Sequence, residues 1–255
     1  TDFANDTLVL GGHEFHSRFI LGSGKYSYEL IKAAVENAGA QIITMLFAGR
    51  ASTGINPGLY PGRDHAPSEY VGVQDSRGGG ADGQTSRELC GSDFVKVEVI
   101  PDAKYLLPDN YATVKATEIL AKEGFVVMPY MYPDLNVAKA LQDAELLHHA
   151  PWRAIGSNKG ICTKDFIQIL IDEIDLPIIV DAGIGKPSQA CEAMEMGATA
   201  VMANTAIATA GDIPAMAAAF KSAIEAGRRA YLAGMGRVID RGASASSPLQ
   251  GVSEK

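Results

Sequence analysis

Phe94-Val95-Lys96-Val97-Glu98-Val99-Ile100 is an apolar, β-branched run that carries two opposite charges. Strand side chains alternate between faces, so Lys96 and Glu98 share one face and Val95, Val97 and Val99 the other. On a half-exposed sheet the two charges would form a solvated pair. The flanking residues also suit a strand buried on both faces, as in a parallel sheet. Lys96 and Glu98 then lie inside a barrel or cleft. Burial lowers a lysine's pKa and a neighbouring carboxylate holds it up. An amine so balanced can attack a carbonyl carbon and form a Schiff base.

Outward from this run, strands and helices alternate. Upstream, Arg18-Phe19-Ile20-Leu21 and Gln41-Ile42-Ile43-Thr44-Met45-Leu46 read as buried strands, separated by a helix over 27–38. Residues 8–14 read as a short hairpin or lid around Gly11-Gly12. Tyr70-Val71-Gly72-Val73-Gln74 is a third strand. The prolines and glycines of 51–67 exclude a regular helix there, and Arg77-Gly78-Gly79-Gly80-Ala81-Asp82-Gly83 reads as a flexible loop. Downstream, Asp109 is a natural N-cap for a helix that Gly124 ends. Strands follow at 125–130, 146–154, 177–181 and 200–204, with helices at 136–144, 164–174, from Pro187 to Gly197, and at 213–232. Eight strands with intervening helices make a (β/α)8 barrel, read here as one domain over 1–255 with an N-terminal hairpin or lid at 8–15 and a tail at 234–255.

The 255 residues, 47% hydrophobic and 20% charged, suit one barrel of this size, and a net charge of -8 without basic clusters argues against nucleic acid. No apolar run approaches the ~20 residues that span a bilayer, and no signal-peptide pattern opens the chain. Cys90, Cys162 and Cys191 are widely spaced and suggest reduced thiols in a cytoplasm. His13 and His16 follow Gly11-Gly12 and read as surface residues rather than metal ligands; His148 and His149 weaken the sixth strand.

Chemistry in such barrels sits at the C-terminal strand ends. Gly156-Ser157-Asn158-Lys159-Gly160, Asp181-Ala182-Gly183-Ile184-Gly185 and Asn204-Thr205 follow strands six, seven and eight. Glycine-rich turns there let backbone N–H groups approach a phosphate. Ordinary turn chemistry is the alternative.

These residues also carry a resemblance. Ser17-Arg18-Phe19-Ile20-Leu21-Gly22-Ser23-Gly24-Lys25-Tyr26, Lys96-Val97-Glu98-Val99-Ile100, Leu106-Leu107-Pro108-Asp109, Ile155-Gly156-Ser157, Val180-Asp181-Ala182-Gly183-Ile184-Gly185, Asn204-Thr205-Ala206 and Ala245-Ser246-Ser247-Pro248 resemble, in order, the bacterial thiazole synthase family. The resemblance implies a barrel enzyme without a cofactor or metal. Such an enzyme forms the thiazole phosphate of thiamin from 1-deoxy-D-xylulose 5-phosphate, dehydroglycine and sulfur. The sulfur comes as a thiocarboxylate on the C-terminal Gly-Gly of a ubiquitin-like carrier protein. It further implies Lys96 as the Schiff-base lysine, Glu98 and Asp181 as acid/base carboxylates, and Gly156, Ala182, Gly183, Asn204 and Thr205 as the sugar-phosphate site. A homo-oligomer, dimer or tetramer, goes with it. The segment 46–90 departs from the family pattern. Related alternatives are a sulfur-inserting enzyme acting on another sugar phosphate (2-thiosugar synthase type), a class I aldolase-like lyase, and an idle barrel that only docks the carrier.

Overall fold

The computed structural model describes residues 6–22, 27–48, 51–52, 69–75, 87, 91–101, 104–142, 148–151, 157–160, 163–239 and 241–242. The chain begins with an antiparallel hairpin, β1 (Leu8–Leu10) and β2 (His13–Phe15). Gly11 and Gly12 both have positive φ, 54° and 82°, as a tight two-residue hairpin turn requires.

Eight parallel strands follow: β3 (Phe19–Leu21), β4 (Ile42–Ala48), β6 (Glu69–Asp75), β7 (Phe94–Glu98), β8 (Val126–Pro129), β9 (His148–Pro151), β10 (Ile178–Asp181) and β11 (Ala200–Ala203). They pair in the order β8-β7-β6-β4-β3-β11-β10-β9. The two ends of this path, β8 and β9, lie in contact, so the sheet wraps round as the expected (β/α)8 barrel. The short β5 (Ala51–Ser52) pairs back antiparallel on β4. Of the 51–67 segment, residues 53–67 lie outside the described residues, as do the 77–83 loop, Cys90 and Cys162. Of the expected sixth strand, residues 148–151 pair with β10, while 146–147 and 152–154 lie outside the described residues.

The helices are α1 (Tyr28–Glu36), α2 (Asn110–Lys122), α3 (Leu135–Gln142), α4 (Lys164–Glu173), α5 (Pro187–Glu195), α6 (Thr205–Ala208) and α7 (Ile213–Ala233). Side-chain oxygens of Ser27, Asp109 and Asp212 accept from the backbone N–H of Leu30, Ala112 and Ala215, capping α1, α2 and α7. Gly227 lets α7 press on α5, for a Cβ there would strike the carbonyl oxygen of Cys191.

Alternation along each strand divides the core in two. Phe19, Leu21, Val95, Val97, Val180 and Val201 face the helices. Ile20, Ile42, Phe94, Met128, Ile179, Ala200 and Met202 point into the barrel and pack on Leu8, Leu10 and Phe15. These interior residues lie toward the strand beginnings, so the hairpin seals the N-terminal mouth. It is not a lid over the other rim. Asp6, just before it, receives hydrogen bonds from both Arg18 and Arg228.

Candidate active site

The interior positions that follow the apolar layer are polar. On β7, Phe94 belongs to that layer, so Lys96 and Glu98, two and four residues on, also face inward. On β10, Ile179 is followed by Asp181, the last residue of its strand. Each strand is a fully buried run, which fixes its register and brings the three side chains together.

Lys96 is 3% exposed. Its Nζ donates to Asp181 Oδ2 at 2.5 Å, lies 2.9 Å from Glu98 Oε1, and stands 3.3 Å from Met202 Sδ. Burial disfavours its charged form, but the carboxylates of Asp181 and Glu98 outweigh that and hold its pKa above the usual lysine value. Lys96 therefore rests as an ammonium that can hand a proton to either neighbour. The solvated-pair reading is excluded, since both carboxylates are buried too.

Asp181 is held from its own backbone: Ala182 N donates to Oδ1 at 2.6 Å. Ala182 adopts φ 61°, a left-handed conformation that is strained for a residue with a Cβ. Strain of this kind clusters at functional sites. Gly183 follows at φ 85°, and its carbonyl accepts from Gly160 N at 2.8 Å. That bond ties the turn after β10 to the turn after β9. Gly185 presses on Asn158 where a Cβ would come within 2.5 Å of the Asn158 carbonyl oxygen. Gln189 Oε1 accepts from Gly185 N and Lys186 N at 2.8 and 3.2 Å, bracing the same turn. After β11, Asn204 Nδ2 donates to Gly22 O at 2.7 Å and α6 begins at Thr205.

Lys96, Glu98, Asp181, Ala182, Gly183, Asn204 and Thr205 line one cavity of about 40 Å³. Seven of the eight site residues expected from sequence thus share one wall; Gly156 lies outside the described residues. The space is on the scale of one water molecule, so its inner end admits one functional group of a ligand, such as a carbonyl, beside Nζ. A larger cavity of about 500 Å³ opens at the opposite rim beside Arg18 and Arg228. Asp6 engages the guanidinium groups of Arg18 and Arg228 there.

Two neighbours of Lys96 escape a sequence reading. Met202 looks like plain core in an apolar strand. Tyr130, just beyond β8, is fully buried with its ring centroid 5.3 Å from Lys96 Nζ. Only the register could have suggested it, since Lys96 pairs with Met128, Val97 with Pro129, and Tyr130 comes next along the chain.

A family model described as thiazole biosynthesis protein ThiG matches residues 9–248. The thiazole synthase of Clostridium beijerinckii is 64% identical over 259 aligned positions covering 98% of each chain. That of Fusobacterium nucleatum is 61% identical, covering 96% of this chain and 97% of its own. Among solved structures, a chain of the Amycolatopsis orientalis BexX/CysO complex superposes with a TM-score of 0.78 at 29% identity, covering 92% of this chain and 98% of its own. The match reaches both Lys96 and Asp181 and spans the 46–90 segment as well, and on it the chain belongs to the ThiG family of thiazole biosynthesis proteins.

Proposed function

We propose that the protein is a thiazole synthase that makes the thiazole phosphate of thiamin from 1-deoxy-D-xylulose 5-phosphate, dehydroglycine and sulfur, through an imine on Lys96. The observation that carries this is the Lys96 ammonium held between Asp181 and Glu98 in a buried cavity. Asp181 takes a proton from Nζ, and the freed amine adds to the sugar carbonyl. The imine acidifies the adjacent C–H bond. Glu98 and Asp181 then move protons so that the carbonyl migrates and sulfur replaces oxygen. The turns at Ala182-Gly183 and Asn204-Thr205 offer backbone donors for the sugar phosphate, with Gly156 assigned to the same role.

The sulfur donor is proposed to be the thiocarboxylate of a ubiquitin-like carrier. A relative solved as a complex of two proteins supports such a partner. The thiosugar-type, aldolase-type and idle-barrel readings are not favoured, because relatives at 51–64% identity bear the name thiazole synthase. No helix among the described residues is long and apolar enough to cross a membrane.

The test is intact-mass analysis after borohydride treatment with 1-deoxy-D-xylulose 5-phosphate. Wild type should gain the mass of the reduced sugar adduct, and Lys96→Ala should not. An undiminished adduct in the variant would place the nucleophile on another lysine.

A further inference from the structure

Tyr130 directly follows β8, whose last residue, Pro129, pairs with Val97 on the neighbouring strand. Its backbone N donates to Val97 O at 2.8 Å, which fixes it there. Ile100, Leu106 and Ala182 enclose its ring. The ring faces Lys96 Nζ at 5.3 Å, a cation–π distance. Its hydroxyl is buried and has no hydrogen-bond partner among the described residues. An unpaired buried hydroxyl is destabilising, and phenylalanine would fill the same space without that penalty.

Several donors around Lys96 are engaged. Nζ serves Asp181 and Glu98, Ala182 N serves Asp181, and Asn204 Nδ2 serves Gly22. Among the described residues the buried hydroxyls of Tyr130, Ser157 and Thr163 have no partner, and of these Tyr130 is the one whose ring faces Lys96 Nζ.

We propose that Tyr130 is a further catalytic residue: its hydroxyl donates a hydrogen bond to the substrate carbonyl oxygen as the Lys96 nitrogen adds to the carbon. This rests on the imine reading above. In the addition, Lys96 Nζ gives one proton to Asp181 and its lone pair forms the N–C bond, while the C=O π pair moves onto oxygen. Two of the three ammonium protons, one of them by way of Asp181, finally leave with that oxygen as water. The third stays on the iminium nitrogen. Tyr130 supplies no proton to the balance; it stabilises the charge that gathers on oxygen, the role of an oxyanion-hole donor. Burial, with Asp181 and Glu98 adding to it, pushes the phenol pKa up, so the group remains O–H throughout. Within β8 and its end, Tyr130 thereby acquires a task that its ring, as a cation–π partner, does not explain.

Tyr130→Phe keeps the ring and removes the hydroxyl. In the full-length protein with 1-deoxy-D-xylulose 5-phosphate, the rate of cyanoborohydride-trapped adduct formation should fall about 10²-fold. Its Tm should match or exceed that of wild type, since an unpaired buried group is gone. Trapping at the wild-type rate overturns the proposal, and so does slower trapping that comes with a lowered Tm. If wild type itself forms no adduct, the imine reading fails, and the rise in Tm on adding the sugar phosphate decides the hydroxyl's role separately. A smaller rise in Tyr130→Phe upholds a hydroxyl–substrate contact, and an equal rise overturns it.

Discussion

Replacing Asp6 with asparagine should change how stability responds to acid, by an amount set by two arginines. Asp6 Oδ1 accepts from Arg18 and Arg228 at 2.8 Å each, and Oδ2 accepts from them at 3.1 and 2.9 Å. The hydrogen bond from Arg228 acts most strongly; with Arg18 it outweighs the burial of the carboxyl and brings the pKa from 3.8 down to about 2. At ~1.36 kcal/mol per pH unit this difference is worth ~2.4 kcal/mol. With 19% of the side chain exposed, solvent screening reduces it to about 1–2 kcal/mol. The carboxyl is more acidic folded than unfolded. Its contribution is therefore complete above 3.8 and is lost as pH falls toward about 2. The assay is urea unfolding of wild type and Asp6→Asn from neutral pH down to about pH 2.5. At neutral pH the variant should be the less stable, because buried Arg18 then faces an uncharged amide. The gap should narrow by about 1–2 kcal/mol as pH drops through the window between the two pKa values. A gap of constant size across that window refutes the assignment of the clamp to charge.

Gly183→Val places a β-branched residue at φ 85° in the turn beside Asp181, and calorimetric titration should show sugar-phosphate binding at least about tenfold weaker; an unchanged Kd would remove this turn from the site. Glu98→Gln and Asp181→Asn should each lower turnover by about 10²–10⁴-fold, and near-wild-type turnover in both would make the carboxylates structural. Gly227→Ala should lower stability by about 1–3 kcal/mol, read as a fall in Tm, because the methyl group meets the Cys191 carbonyl; an unchanged Tm would mean that α5 and α7 separate freely.

Where both faces of a strand are buried, the sequence announces it. The runs at β7, β10 and β11 are continuous and apolar, so any residue in them that is charged stands out, as Lys96, Glu98 and Asp181 do. Caps were equally legible, because Asp109 acts within three residues of itself. The hairpin was legible as a local turn but its destination was not. Nothing near Leu8 or Phe15 says which mouth of a barrel they fill, since that depends on partners in six other strands. Tyr130 and Met202 were hidden for the opposite reason. Each has the residue type of ordinary core, and only the pairing of β8 with β7 and the approach of β11 across the barrel interior set them against Lys96. The four-residue α6 is too short to leave a periodic trace.

The sealed mouth bears on the order of assembly. Leu8, Leu10 and Phe15 pack on Ala200 and Met202, which leave the ribosome about 10–40 s after them at ordinary rates of synthesis. The Asp6–Arg228 contact spans 222 residues. Contacts of such range form only after the loops between them close. During translation, then, the hairpin is an apolar segment whose binding surface does not yet exist. In pulsed hydrogen exchange during refolding, the amides of β1 and β2 should be protected after those of β7 and β10. The floor of this barrel is laid once its walls are standing, and until then the nascent chain must keep three large apolar side chains from finding another partner.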